Sequence, residues 1–408
     1  MLQENGYYVG HTAKGWAPGN PGKINGKNRE LLGPAFNKIK TSPPAKFISN
    51  NDYAANLEDF LNSNTDKKPF CFWYGSTEPH RQYEFRAGMD KAGKKLTDID
   101  HVNEAWPDNN TVRTDMLDYA YEIEYFDSHI VKMLKILEER GLLENTIVVV
   151  TSDNGMPFPR VKAQEYELSN HMPLAIMWKK GIKNPGRIME GFVSFTDFAP
   201  TFLDLAGVST EKSGMQPMEG ESLLGILQDK PGSKGRDFMI IGKERHDVSR
   251  PNDLGYPIRG IIQNGFMYLK NFAPDRWPAG NPETGYMECD GSPTKTYILN
   301  DRRAKGKTQY WDWNFGLRPG EELYKISEDP YCMNNLAGNA EHAKLKENLG
   351  NLMTEELKKE GDPRMFGKGD IFDAYPYSEN ANRDFYNRFM AGEPVRAGWI
   401  QQSDIERK

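Results

Sequence analysis

Thr146-Ile147-Val148-Val149-Val150-Thr151-Ser152-Asp153-Asn154-Gly155-Met156-Pro157-Phe158-Pro159-Arg160-Val161-Lys162 is the stretch whose reading decides the fold. It opens as a continuous apolar, β-branched run, the pattern of a strand buried on both faces of a parallel sheet. It closes in Ser152-Asp153-Asn154-Gly155, where a carboxylate and a side-chain carbonyl stand side by side, both hard oxygen donors suited to a hard cation. Gly155 allows a sharp turn away from the strand. In open α/β sheets ligands bind beyond the carboxyl ends of the strands, where Asp153 and Asn154 would sit. Lys162, after a proline-punctuated loop, can return a cation to the same edge. The plain alternative is a strand-to-loop turn, since Asp-Asn-Gly is also turn chemistry.

Outward from that stretch the rhythm is α/β. Lys68–Thr77, dense in aromatics, reads as a second buried strand, and it runs into Glu78-Pro79-His80-Arg81. Thr111–Arg140 reads as the strongest helix, with Met116, Ala120, Ile123, Phe126, Ile130 and Leu137 at three- and four-residue spacing. Its Asp118, Glu122, Glu124 and Asp127 read as a solvated face, and Gly141 ends it. Asn51–Ser63 and Val193–Ala206 read as helices and Pro173–Trp178 as a strand, a mainly parallel sheet flanked by helices. Residues 17–50 read as a long irregular loop. Near residue 235 the pattern changes. Arg259–Phe272 reads as a hairpin around Asn264-Gly265, Leu323–Ile326 as a short strand and Glu341–Glu360 as a helix. The expected division is 1–235, a smaller antiparallel α+β subdomain over 236–380, and a surface-wrapping tail over 381–408.

Composition narrows the function classes. The 408 residues are 38% hydrophobic and 27% charged, with a net charge of −6. That balance argues against a nucleic-acid partner, and no apolar run reaches the roughly 18 residues of a membrane span. Cys71, Cys289 and Cys332 are odd in number and widely spaced, forming neither a zinc pattern nor a disulfide framework. Nothing at Met1–Gly6 reads as a signal peptide. The opening GYYVGHTAKGW instead reads as mid-domain sequence, so a truncated or misplaced start is expected.

Five segments, taken in order, resemble the type I sulfatases of the alkaline-phosphatase-like fold. GYYVGHTAK resembles the G-Y-x-T-G-x-x-G-K segment and puts Lys14 on its lysine. PFCFWYGSTEPHR is similar to the strand that ends in H-D-P-H-R, which puts His80 on a sulfate-contacting histidine beside Arg81. TIVVVTSDNG resembles the metal-ligand strand, so Asp153 and Asn154 would ligate a cation. Lys162 resembles a lysine that contacts the sulfate. ELYKISEDPYCMNNLA, ending at Ala337, is similar to the C-terminal E-L-Y-D segment. S-D-N-G-M-P-F-P looks closest to the N-sulfoglucosamine sulfohydrolase branch. Arg245-His246-Asp247-Val248, Tyr256-Pro257-Ile258-Arg259 and Gly361-Asp362-Pro363 agree, and would put His246, Asp247 and Arg259 on the substrate side.

The resemblance implies a hydrolase of N- or O-linked sulfate on an amino sugar or glycosaminoglycan. It implies a Ca²⁺ cofactor in preference to Mg²⁺ and a periplasmic, extracellular or lysosomal setting. It also implies a formylglycine nucleophile made from Cys or Ser in C/S-x-P-S-R. No such segment exists here, and the paired aspartates expected to open the first strand are absent as well. In place of G-K-x-H stands Ala13-Lys14-Gly15-Trp16. The chain alone is therefore expected to hydrolyse sulfate esters poorly or not at all. Two alternatives stay open: a phosphate-ester hydrolase of the same fold, disfavoured by the low histidine count of 7, and a non-catalytic sugar-binding relative.

Overall fold

A computed structural model of the chain describes residues 1–16 and 20–406. The chain divides into two compact units. One comprises Met1–Glu84, Tyr119–Val150 and Leu174–Asp237; the other comprises Phe85–Asp118, Thr151–Pro173 and Phe238–Lys408. The last change of unit falls at Asp237–Phe238, near the composition change at 235. The segments 85–118 and 151–173, however, belong with the C-terminal residues. Local sequence pattern carries no information about which core a loop joins, so this non-collinear division was invisible to it.

In the first unit, Tyr8–Ala13 and Phe70–Gly75 pair in parallel, from Tyr8 opposite Phe70 to Ala13 opposite Gly75. Parallel pairing needs a long crossover, here containing the Tyr53–Ser63 helix, whose Asp52 cap accepts from Ala55 N at 3.0 Å. Gly10 lets the strand approach Phe60, since a Cβ there would meet the ring at 2.8 Å. Tyr53, Leu57, Phe60, Met133 and Leu137 form the core, with Tyr8, Phe70, Phe72, Val148 and Met177 packed on it. Val148–Thr151 and Leu174–Met177 form a separate two-stranded piece.

Several expectations change here. Val148–Thr151 is half-buried rather than enclosed on both faces, and it pairs only with Leu174–Met177 among the described strands. Trp73 on the second strand is 52% exposed. The long helix spans Asn110–Glu139, but Asp118 and Glu122 are buried rather than solvated, and Ile123 is exposed. Asp118 accepts from the backbone N–H groups of Arg86 and Gly88, both at 2.8 Å. Helical periodicity finds a face, but it cannot tell a carboxylate in water from one satisfied by backbone donors. The loop expected over 17–50 holds a two-residue hairpin, Lys23–Ile24 with Lys27–Asn28; residues 17–19 lie outside the described residues.

The second unit contains a four-stranded antiparallel sheet. In spatial order its strands are Glu321–Lys325, Phe266–Asn271, Ile258–Gln263 and Phe238–Lys243. Asn264 and Gly265 both have positive φ, 49° and 76°, as a two-residue primed turn requires. The Ala343–Lys359 helix buries Leu349, Met353 and Leu357 against Ile261, Tyr268 and Leu323. Helices that escaped the sequence reading include Pro293–Lys305, capped by Ser292 with Pro293 in its first turn, and Gln309–Phe315, capped by Thr308. The expected surface tail is partly interior. Phe385 packs with Val248 and Met287, and Asp404 is fully buried, 3.7 Å from the equally buried Lys295 Nζ.

Candidate active site

Lys162 sits in a loop fixed on both sides. Before it, Trp106 stacks on Phe158 at 4.8 Å and donates to Pro159 O at 2.9 Å. Arg160 lies 3.9 Å over the Tyr166 ring and donates to Trp313 O at 2.7 Å. After it, Ala163 O accepts from Lys243 Nζ. Arg160 and Ala163 both hold positive φ, 66° and 63°. Non-glycine residues adopt that conformation only where the surroundings over-determine it, and such strain clusters at functional sites. Gly155 serves this loop by close approach: a Cβ there would lie 2.2 Å from Leu168 O.

The loop delivers Lys162 Nζ to Asp290 Oδ2 at 2.7 Å, with side-chain exposures of 13% and 7%. Asp290 is itself held. Gly291 N donates to Trp399 O at 2.7 Å, and buried Lys295 Nζ donates to Cys289 O at 2.6 Å and Tyr286 O at 3.1 Å. Two residues earlier, Glu288 takes Arg250 and Ser249 on Oε1. Its Oε2 is buried without a hydrogen bond, 4.0 Å from Lys243 Nζ. Burial alone would raise the Glu288 carboxyl, but Arg250, Lys243 and His246 outweigh it and hold it below its ordinary value.

His246 and Asp247 follow the Phe238–Lys243 strand into the same field. Asp247 is buried, and its Oδ1 accepts from Val248 N at 2.8 Å. Burial, with Glu288 and Asp290 adding repulsion, pushes its carboxyl up to about 7, partly offset by the Val248 bond and Lys162. His246 keeps exposed surface. Crowding by the surrounding protein holds its imidazole below its ordinary value, and Lys243 and Lys162 add to that while Glu288 and Asp290 oppose it. Glu165, likewise buried, is pushed up to about 7.

Arg259, expected on the substrate side, is held by neighbouring protein groups. Its Nε donates to Asp362 Oδ2 at 2.5 Å, its Nη1 to Lys243 O and Ile258 O, and its Nη2 to Glu244 Oε1 at 2.5 Å. Arg364 binds the same Glu244. These bonds tie the sheet to the 361–364 turn, leaving one of five guanidinium hydrogens unassigned.

In the first unit, Lys14 and His80 share the carboxyl end of the parallel pair. Lys14 N donates to Gly75 O at 2.7 Å, and Ala13, at φ 61°, is held by Asn37 Oδ1 at 2.8 Å. The loop carrying His80 hangs on buried Glu78, which accepts from Ser49 N, Tyr53 OH and Ser76 Oγ at 2.6–2.7 Å. His80 Nδ1 lies 2.5 Å from Arg81 O, and the Arg81 guanidinium lies 4.5 Å over the Tyr83 ring.

Asp153 and Asn154 are both exposed. Their donors suit Ca²⁺ in type but not in number, since calcium takes 6–8 oxygens. Among the described residues no group of three or more His, Cys, Asp or Glu gathers as a metal site. Asp153 and Asn154 by themselves therefore offer fewer oxygens than a calcium ion takes. No cysteine is a ready nucleophile either. Cys289 and Cys332 are buried, and burial raises the Cys71 thiol and pushes Cys332 to about 12, whereas reactive cysteines have depressed values.

The fold is shared with solved structures of sulfatases. A family model described as Sulfatase matches residues 1–208, and the chain belongs to the sulfatase family. It is 27% identical to an ulvan-active sulfatase of Formosa agariphila over 79% of this chain and 57% of that protein. To human N-sulphoglucosamine sulphohydrolase it is 25% identical, over 73% and 62%. The solved structure of BT4656 in complex with its substrate D-glucosamine-2-N,6-O-disulfate shares the fold, with a TM-score of 0.55 and 20% identity over 89% of this chain and 82% of that one. The chain spans roughly half the length of the curated relatives it matches.

Sequence reading singled out none of Asp290, Glu288 and Lys243, which the structure places in contacts with the Lys162 loop or with one another. The only signal near them was Ser292-Pro293, a helix start that fixes Asp290 just outside its cap.

Proposed function

We propose that this chain is a sulfatase acting on sulfated amino sugars, whose described residues bind the sugar and position the sulfate. The observation that carries the reading is Lys162, held in a strained loop beside Asp290, His246 and Asp247, in a member of the sulfatase family. An ammonium group buried among polar side chains can take a sulfuryl oxygen with little reorganisation, the electrostatic role that dominates such transfers. Asp247, whose carboxyl reaches about 7, can donate to a bound saccharide near neutrality. Within the first unit, Lys14 and His80, beyond the parallel strands, are proposed as sulfate-binding residues, with Arg81 beside them.

The reaction is water attack in net terms. A sulfate ester gives alcohol and hydrogen sulfate; a sulfamate gives amine and sulfate, the added proton passing to nitrogen. Asp153 and Asn154 are proposed as two oxygens of a Ca²⁺ shell completed by other ligands. Such an ion, when bound, would offset charge on the sulfuryl oxygens. The setting is proposed as extracytoplasmic; no helix among the described residues is long and apolar enough to cross a membrane.

Calorimetric titration of the chain with defined sulfated glucosamine saccharides, and with their phosphate-ester counterparts, tests the reading. Binding of the sulfated sugars in preference to the phosphorylated ones is expected. Preference for the phosphate esters would favour the phosphatase alternative, and binding of neither would end the sugar assignment.

A further inference from the structure

The Lys162–Asp290 pair is an unusual partner for a sulfate. A sulfuryl group approaching Lys162 meets a lysine whose charge is already shared with a carboxylate 2.7 Å away. Two anions competing for one ammonium repel, and in a poorly hydrated site that repulsion is weakly screened. Removing such a pair from water also carries a desolvation cost that its mutual attraction does not fully return. Nearby, Asp247 is buried, and Glu288 Oε2 is buried without a hydrogen bond, with Arg250 on its other oxygen and Lys243 Nζ 4.0 Å away. No donor among the described residues bonds the other Asp290 oxygen. A ligand that satisfies both halves of the pair must carry its own positive charge a few ångströms from its sulfate.

We infer that Asp290 is a specificity-determining residue that selects sulfated amino sugars bearing a free ammonium group over their N-acylated forms. The sulfate takes Lys162, and the ammonium takes the carboxylate that Lys162 then shares. An N-acyl group is neutral and bulkier; it leaves Asp290 facing the sulfate without compensation. This inference rests on the proposed sulfatase reading and narrows its substrate class.

The test is titration of the chain at pH 6.5 and low salt with glucosamine 6-sulfate, N-acetylglucosamine 6-sulfate and inorganic sulfate. Wild type is expected to bind the free amine about 10-fold more tightly than the acetylated sugar, the order of effect of one charge-assisted contact. Asp290→Asn is expected to bring the two affinities within about 2-fold. Asp290→Glu, which keeps the charge, is expected to retain the preference, and it separates lost recognition from lost folding. Equal wild-type affinities, or a preference that survives in a folded Asp290→Asn, overturns the role of Asp290 while leaving the sulfatase reading intact. Failure of both sugars and of inorganic sulfate to bind overturns that reading, and this inference with it.

Discussion

Lys162 and Asp290, 128 residues apart in the chain, meet at 2.7 Å with both side chains largely withdrawn from water. The contact joins the loop that follows the apolar Val148–Thr151 strand to the segment that opens the Pro293–Lys305 helix.

Breaking this pair should be costly from the lysine side. Lys162→Ala leaves the largely buried Asp290 carboxylate without its ion-pair partner. Removing one partner of a buried pair costs about 3 kcal/mol or more, so the urea midpoint should fall. Sulfated-sugar affinity should drop at least about 10-fold, and turnover by roughly 100-fold in any form of the enzyme that carries turnover. A variant with unaltered affinity would remove Lys162 from the site.

Stability should decline as pH rises toward neutrality. Asp247 and Glu165 have carboxyl values of about 7 in the folded chain, against ordinary values of 3.8 and 4.5. Unfolded, these groups lose their protons near pH 4; folded, they hold them to about pH 7. Across that window the folded state binds more protons, so each group lowers unfolding free energy as pH rises, with no further change above it. Urea unfolding at several pH values should show a shallower decline in Asp247→Asn than in wild type. Reading the difference between the two proteins cancels the other titrating groups.

Arg259 is expected to behave as a structural cross-link. Arg259→Ala leaves Asp362 and Glu244 short of a partner, although Arg364 still holds Glu244. A loss of about 3 kcal/mol is expected, with the free-amine preference of the remaining folded protein unchanged. Loss of that preference without loss of stability would return Arg259 to the substrate side.

Gly155→Ala should disturb the site without touching it. The added methyl would lie 2.2 Å from Leu168 O and 2.7 Å from Val161, so the loop carrying Lys162 must shift. Overpacking of this kind costs about 1–3 kcal/mol, and sugar affinity should fall with it. An unchanged melting midpoint would show that the loop is softer than its contacts imply.

The cysteines should be slow to modify. Cys332 is fully buried with its thiol raised to about 12. Ellman's reagent at pH 8 should react with it only on unfolding; prompt reaction of all three thiols in the native chain would contradict this.

Sequence alone determined what backbone chemistry decides over a few residues. Asn264-Gly265 specified a primed turn because both positions tolerate positive φ, and the apolar runs at Phe70 and Val148 specified strands. The ordered motifs specified the family, since each combines a strand end with residues of particular chemistry. Tertiary structure alone decided which charges meet. Asp118 was read as solvated and is buried on backbone donors, Arg259 meets Asp362 at a sequence separation of 103, and Asp290 went unread although it holds Lys162. The reason is range: turn and strand preferences act between near neighbours, whereas an ion pair forms wherever folding removes two groups from water together, and spacing along the chain does not record that place.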